Sequence, residues 1–435
     1  MSLKSGPLEF FKKVTANHLI MKKILWLCNV LFSDEAITDT GSWLQPMAVA
    51  LQQTGKVQIY NISQGNVSEV TECDYRGIRQ WIIPSRKTKN HGQDPSVKTC
   101  EEIRNIEREI KPDIVHLWGT EDIWASVYRK GYLQSPALID IQGLLSLCAE
   151  YYYGGLTFSE IIRCVHLKEI LMPWRTLFGK KNVFKNRGKI EIENLKRFQH
   201  ISVQSEWVRN IVSFINPDAH LYQTKIMLRD AFSEASPWQY QKADTQPVVF
   251  TLCSGAISYK GIHVLLKAIH VLKKKYPSIR LKIAGNMKIG NRLLDGYSIF
   301  LKKLIKKLDL EDHVSYLGSV DASQIVHFLQ ECNVCVIPSF IESYCLAFVE
   351  AMIVGVPTVV SFTGAMPELA EHQKSALFYN SLDHRTCAAH IDLLIQNKEL
   401  AELLSSNGRE NRLKQNDKNM VVNTQLNIYQ SILNK

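Results

Sequence analysis

An α/β fold of two domains, each a mostly parallel sheet with helices on both faces and with a cleft between them, is what three observations on this sequence predict. Short β-rich apolar runs alternate with longer helical patterns in both halves, as strand–helix–strand units do. At 435 residues the chain is too long for one ordinary core, given roughly 150 residues per domain. A polar stretch with two prolines, "DAFSEASPWQYQKADTQP" (230–247), breaks the alternation between the halves. Two Rossmann-like domains result, and a composition of 46% hydrophobic and 22% charged residues excludes disordered and collagen-like classes.

The elements follow in order. Residues 1–21 are basic but lack the apolar core of a secretory signal and are set apart as an extension. In the first domain (22–230) the strands are expected at "KILWLCNV" (23–30), "VQIYNI" (57–62), "DIVHLWG" (113–119), "ALIDIQG" (137–143) and "HISVQS" (200–205). Helical patterns such as "GSWLQPMAVALQQTG" and "CEEIRNIEREIKP" lie between them. The linker takes 231–247. In the second domain (248–417), "VVFTLCSG", "KGIHVLLKAIHVLKKKYP" and "RLKIAGN" make one complete strand–helix–strand unit, and "HVSYLG", "NVCVIPS" and "PTVVSF" add strands. The terminal helical pattern, 418–435, is free to pack back across the first domain.

Charge and cysteine usage narrow the class. Lys and Arg outnumber Asp and Glu by 52 to 42, a formal +10 that favours anionic partners. Two basic runs stand out, "GKKNVFKNRGK" (179–189) and "FLKKLIKKLDL" (300–310). No helix-turn-helix, zinc-finger or RNP pattern accompanies them, so nucleic acid is not the expected partner. Apolar runs are broken by Lys22 and Lys23, by Glu350 or by Pro357 before they reach the roughly 18 residues that span a bilayer. Ten cysteines form no framework, which suits a reducing cytoplasm, and the sequons at Asn61 and Asn66 then carry no weight. Cys332 and Cys335 sit in a strand pattern with no second pair, which argues against metal or redox chemistry.

The chemistry concentrates in "SFIESYCLAFVEAMIVGVPTVV" (339–360), where Glu342 and Glu350 interrupt an apolar run. "NVCVIPS" is a strand and "YCLAFVEAMIVG" a helix that Gly355 and Pro357 stop, so Glu342 stands before a helix start and Glu350 two turns in. The amides of Tyr344, Cys345 and Leu346 are then donors for an anion, with the helix dipole behind them. Ligands of open α/β sheets sit at the carboxyl ends of the strands, where this loop falls. A diphosphate there would put one carboxylate beside each substituent, and a carboxylate suits vicinal hydroxyls. The competing reading is a capped core helix with Glu350 on its polar side. In "SGAISYKGIHVLLKA" a strand ends at Ser254 and Gly255 and a helix begins near Gly261, which brings Lys260 to the same edge as a phosphate-neutralising charge or as a plain surface lysine. Gly285 and Asn286 end the next strand similarly.

These residues together resemble the retaining nucleotide-sugar glycosyltransferases of the GT-B fold, whose motif is a glutamate, seven residues and a second glutamate, followed by a small apolar helix and Gly-x-Pro. Glu342, Glu350, Gly355 and Pro357 match it, as do "YKGIHVLLKA", "YLGSV" and "TGAMPELAEHQKSALFY". Looser matches in the first domain are "KPDIVHLWG", Gly41 in "DTGSWLQPMAVAL" and "SVQSEWVRNIV". The resemblance implies that Glu350 binds the nucleotide ribose and that Glu342 contacts the transferred sugar. Lys260 and the backbone of Tyr344, Cys345 and Leu346 would hold the diphosphate, with Ser254, Gly255, Gly285 and Asn286 lining the donor site. No metal or other cofactor is implied, since lysine, arginine and helix ends replace it. Gly41, Ser42 and Gln142 would meet the acceptor, a glycan or lipid-linked sugar, although a turn glycine explains Gly41 as well. "CAEYYYGGLTFSEIIRC" (148–164) either lines that cleft, rests on a membrane or forms an aromatic core; with the basic run at 179–189 it suggests peripheral contact with an anionic membrane at the cytoplasmic face.

Two departures from the family pattern matter. No arginine precedes Lys260 in "CSGAISYK", and Gln142 stands where a histidine is common, so it could hydrogen-bond a hydroxyl without acting as a base. The activity that the resemblance implies is a hexosyl transfer in surface polysaccharide synthesis of bacterial type. The alternatives are a non-catalytic nucleotide-sugar or glycan-binding scaffold and a nucleotide-sugar epimerase.

Overall fold

The computed structural model describes residues 21–34, 41–86, 88, 93–242, 246–253, 255–287 and 295–434. Most of the 1–21 extension and Ser254 lie outside them. Among the described residues fourteen strands form two sheets. The first is ordered β3-β4-β2-β1-β5-β6-β7-β8, from β1 (Lys22–Leu27), β2 (Val57–Gly65), β3 (Thr71–Tyr75), β4 (Ile78–Pro84), β5 (Ile114–Trp118), β6 (Ala137–Asp140), β7 (His200–Val203) and β8 (His220–Gln223). The second is ordered β11-β10-β9-β12-β13-β14, from β9 (Val248–Leu252), β10 (Arg280–Ala284), β11 (Val314–Gly318), β12 (Val334–Ile337), β13 (Thr358–Ser361) and β14 (Leu377–Tyr379).

Apolar residues on both faces make these central strands fit a covered parallel sheet. In β1, Ile24, Leu25, Trp26 and Leu27 are fully buried, and Ile24 stands level with Ile59 on one side and Ile114 on the other. Each sheet reverses its winding once. In the first the chain leaves β1 toward β2 and β4 and returns through β5 on the other flank; in the second it leaves β9 toward β10 and returns through β12. The crevices beside β1/β5 and β9/β12 are the places where such sheets receive ligands.

Four features were not visible in the apolar pattern. β3 and β4 pair antiparallel around Arg76 and Gly77, both at positive φ, without the Asn-Gly or Asp-Gly signature of a tight hairpin. β8 and β14 are edge strands of four and three residues, too short to show alternation. The basic run 179–189 lies on the helix Leu177–Leu195, at the end of a helical excursion that begins at Leu145 between β6 and β7. The polar segment expected to link the domains is anchored on the second: Trp238 is buried, its indole donates to the Cys332 carbonyl at 2.8 Å, and Tyr240 donates to the Ile395 carbonyl at 2.7 Å. One continuous apolar cluster joins the domains, from Trp26 and Trp43 through Tyr152 and Tyr259 to Phe250 and Phe348.

The terminal helix Lys418–Leu433 lies against the first domain. Its Tyr429 hydroxyl is 3.1 Å from the Trp26 indole nitrogen and 2.8 Å from His116 Nδ1, all three residues being buried.

Candidate functional site

Lys260 and Glu342 meet because β9 and β12 are neighbours and the loops that leave them are locked together. Val334 and Cys335 stand level with Val249 and Phe250, and beyond the strands the Phe340 amide donates to the Tyr259 carbonyl at 2.7 Å. Gly261, at φ +72°, lies so close to Pro338 that an added Cβ would strike the Pro338 carbonyl. Lys260, in the short turn Ser258–Lys260, thereby reaches Glu342, with Nζ to Oε1 at 2.7 Å; the Ser339 hydroxyl donates to the same oxygen at 2.7 Å. Burial works against the Lys260 charge, but the Glu342 carboxylate more than offsets it and holds the ammonium well above the usual lysine range.

The helix after this loop begins later than the sequence suggested. It runs Leu346–Val354, and Cys345 takes a left-handed N-cap position at φ +81°. The amides of Leu346 and Ala347, in its first turn, meet no acceptor among the described residues. Tyr344 instead turns inward, its hydroxyl 3.1 Å from Asn416 Nδ2, and Cys345 is buried.

Glu350 is buried, so the alternative of an exposed polar-face glutamate does not describe it. Its carboxylate pairs with Arg229 at 2.8 Å. Burial raises its pKa above the ordinary carboxyl value and Arg229 draws it partly back, which is the partner that a charge in such a place requires. Arg229 was not singled out from sequence; the only signal is a basic residue closing the apolar "IML" stretch (226–228), before the polar linker.

Other expected residues divide. Gly255 and Asn286 come together across the ends of β9 and β10. Gly285, at φ +119°, lies where an added Cβ would meet the Cys253 carbonyl, and its amide donates to Gly318 at 2.7 Å, a close approach of strand ends. Ser42 lines a cavity of about 590 Å³ with Gln45 and Tyr75, and Arg229, Asp230 and Asp321 line it too. Gly41 stands behind Ser42 in the turn, its carbonyl accepting from the Leu44 amide at 2.9 Å. Glu342 and Lys260 are not part of that cavity, and Arg229 links it to Glu350 alone.

The first domain closes onto the loop after Glu342. Ser343 donates through its hydroxyl to the Gln142 carbonyl at 2.6 Å and accepts at its own carbonyl from Ser205 at 3.0 Å. Glu368 takes the amides of Glu206 and Trp207 at 2.8 and 2.7 Å, filling the start of the helix Glu206–Ile215. The Gln142 side-chain nitrogen is buried without an acceptor among the described residues. Beside it, two residues past the matched "HLWG", stands Glu121, whose carboxylate rests against Gly119 and Gly143. Burial raises its carboxyl to about 8, with Asp122 and Glu191 adding to the rise. Glu191 is held by Thr120, Ser146 and the Leu145 amide. Sequence reading stopped at Gly119 and missed this carboxylate, although its place after a strand end is the signal that picks out Glu342.

Comparison with known proteins bears on the second domain and on the fold. Residues 232–411 match the family model described as glycosyl transferases group 1. An uncharacterized glycosyltransferase of Bacillus subtilis is 30% identical over 176 residues, 40% of this chain and 46% of its own. The chain spans about half the length of the first curated relatives it matches. Among solved structures, sucrose-phosphate synthase from Thermosynechococcus elongatus superposes with a TM-score of 0.68 at 16% identity, covering 94% of this chain and 99% of that one. HepE of Anabaena, solved with UDP and glucose, gives 0.64 at 15% identity over 94% and 100%. At such identities these two establish the fold alone. Residues 232–411 thus carry the match to glycosyl transferases group 1, within a two-domain fold of the GT-B kind.

Proposed function

We propose that the protein is a retaining, metal-independent glycosyltransferase that moves a hexose from a nucleoside diphosphate sugar to a glycan or lipid-linked acceptor, in polysaccharide synthesis of bacterial type. One observation carries the reading: Lys260 and Glu342 meet at 2.7 Å where the second sheet reverses, beside the unfilled amides of Leu346 and Ala347. In this reading the diphosphate sits on those amides with Lys260 turning from Glu342 to meet it, and Glu350, held by Arg229, faces the ribose. Charge develops on the departing diphosphate, so donors fixed there lower the barrier without a metal. Glu342 then faces the sugar, and the acceptor enters from the first domain past Gln142. The UDP and glucose of the Anabaena protein support the donor class by likeness of fold.

A second reading, a binding protein that holds a nucleotide sugar without turnover, is favoured by two features. Lys260 is engaged by Glu342, and no arginine precedes it. Calorimetry with UDP, GDP and ADP in the presence of EDTA tests the donor site common to both. One of the three is expected to bind, and Glu350→Ala to weaken it by about tenfold or more, the cost of an unmatched hydroxyl pair. Failure of all three to bind would remove the assignment.

A further inference from the structure

The excursion between β6 and β7 exposes an unusual amount of apolar surface. Among the described residues eighteen large apolar side chains are exposed, and eight of them fall between 151 and 178. Phe158, Leu171 and Trp174 are 72%, 80% and 63% exposed, with Ile162, Ile170 and Phe178 nearby in the chain. The three tyrosines behave differently from one another: Tyr152 is core, Tyr153 is half-buried beneath Lys181, and Tyr151 is exposed. Monomeric soluble proteins rarely gather exposed apolar residues in this way without a partner for them.

Charge identifies the partner. Residues 150–190 hold eight Lys and Arg against three Glu, a net +5. Two of the three carboxylates are already used, Glu160 by Lys267 at 3.1 Å and the buried Glu169 by the Gly296 amide at 2.9 Å. Lys185 and Lys189 are exposed on the adjoining helix. Apolar side chains that include a tryptophan, flanked by unneutralised lysines, match the boundary layer of a bilayer carrying anionic lipid. Among the described residues no helix is long and apolar enough to cross a membrane, so the contact is with one face.

The excursion is also fixed in place relative to the site. Ser258, in the turn that carries Lys260, donates its hydroxyl to the Tyr152 carbonyl, and Lys180 pairs with Asp295 at 3.3 Å. We propose that residues 158–178, with the lysines of the helix Leu177–Leu195, form a docking surface for an anionic membrane and set the mouth of the interdomain cleft against the bilayer. An acceptor carried on a lipid then reaches the cleft without leaving the membrane. The docking does not depend on the transfer reaction, so its failure leaves the donor-site assignment standing.

Cosedimentation of the full chain with vesicles tests it, using phosphatidylcholine alone and phosphatidylcholine with a quarter phosphatidylglycerol. The wild type is expected to bind the anionic vesicles about tenfold or more tightly than the neutral ones, and to lose that preference at high salt. Leu171→Ser with Trp174→Ser should lower binding about tenfold, with an unchanged thermal melt because both side chains are exposed. Lys185→Glu with Lys189→Glu, which leaves the apolar residues in place, should remove the anionic preference. Equal binding by wild type and both variants, or no binding by wild type, overturns the proposal. So does a wild-type dimer in sedimentation equilibrium that Leu171→Ser with Trp174→Ser dissociates, since a second copy would then be the occupant.

Discussion

Glu350 is the residue at which the sequence put its sharpest question and the structure its clearest answer. A carboxylate inside an apolar run needs a partner, and Arg229 supplies it from 121 positions away. The glutamate was legible because burial and charge conflict within one helix; its arginine was not, because nothing local marks a residue whose partner lies in another element. Glu121 differs, since its place after a strand end is a local signal; burial raises its carboxyl to about 8. Its folded pKa lies above the ordinary value of 4.5, so the unfolded chain ionises first. Stability is then full below about pH 4.5, falls as pH rises through about 8, and stays lower above it. Glu121→Gln removes this term. Glu121 is only partly buried, so melting curves across pH are expected to show the variant equal to wild type below about pH 4.5 and more stable by about 2 kcal/mol near pH 9. A difference that does not vary with pH would assign the effect to packing instead.

At the scale of elements, the strand–helix alternation made most of both sheets legible, and the strand ends located the site. What escaped was set by backbone geometry that side-chain pattern does not encode. The left-handed Cys345 delays its helix by two residues, and the hairpin of β3 and β4 turns on Arg76 and Gly77. Gly261 shows how such geometry supports the site. Its positive φ and its contact with Pro338 hold the turn of Lys260 against the loop of Glu342. Gly261→Ala combines a left-handed alanine, about 1–2 kcal/mol, with a clash against a carbonyl, and a total loss of about 3 kcal/mol is expected in urea unfolding. Donor turnover should fall as well, because the loops must separate; unchanged stability and turnover would show that the loops do not depend on this approach.

The whole molecule is held closed by contacts that sequence separation hides. Tyr429 ties the last helix to Trp26 and His116 in the first sheet, while Ser343 and Glu368 tie the second domain to Gln142 and the helix Glu206–Ile215. The two-domain plan and its cleft followed from the broken alternation near residue 240, but the side of the cleft that each charge faces required the packing of both domains. A surplus of positive charge, +10 over the chain, indicated an anionic partner without saying where it binds; the site and the excursion at 150–190 offer two distinct places. The central claim is that Lys260 and Glu342, without a metal, act on the sugar diphosphate bond. It is tested most directly by the slow hydrolysis, in EDTA, of the nucleotide sugar that calorimetry selects. The wild type should release sugar with the donor's anomeric configuration, and Lys260→Met and Glu342→Gln should each slow release about 100-fold. Release at the wild-type rate by both variants, or a rate that appears only when magnesium is restored, would contradict it.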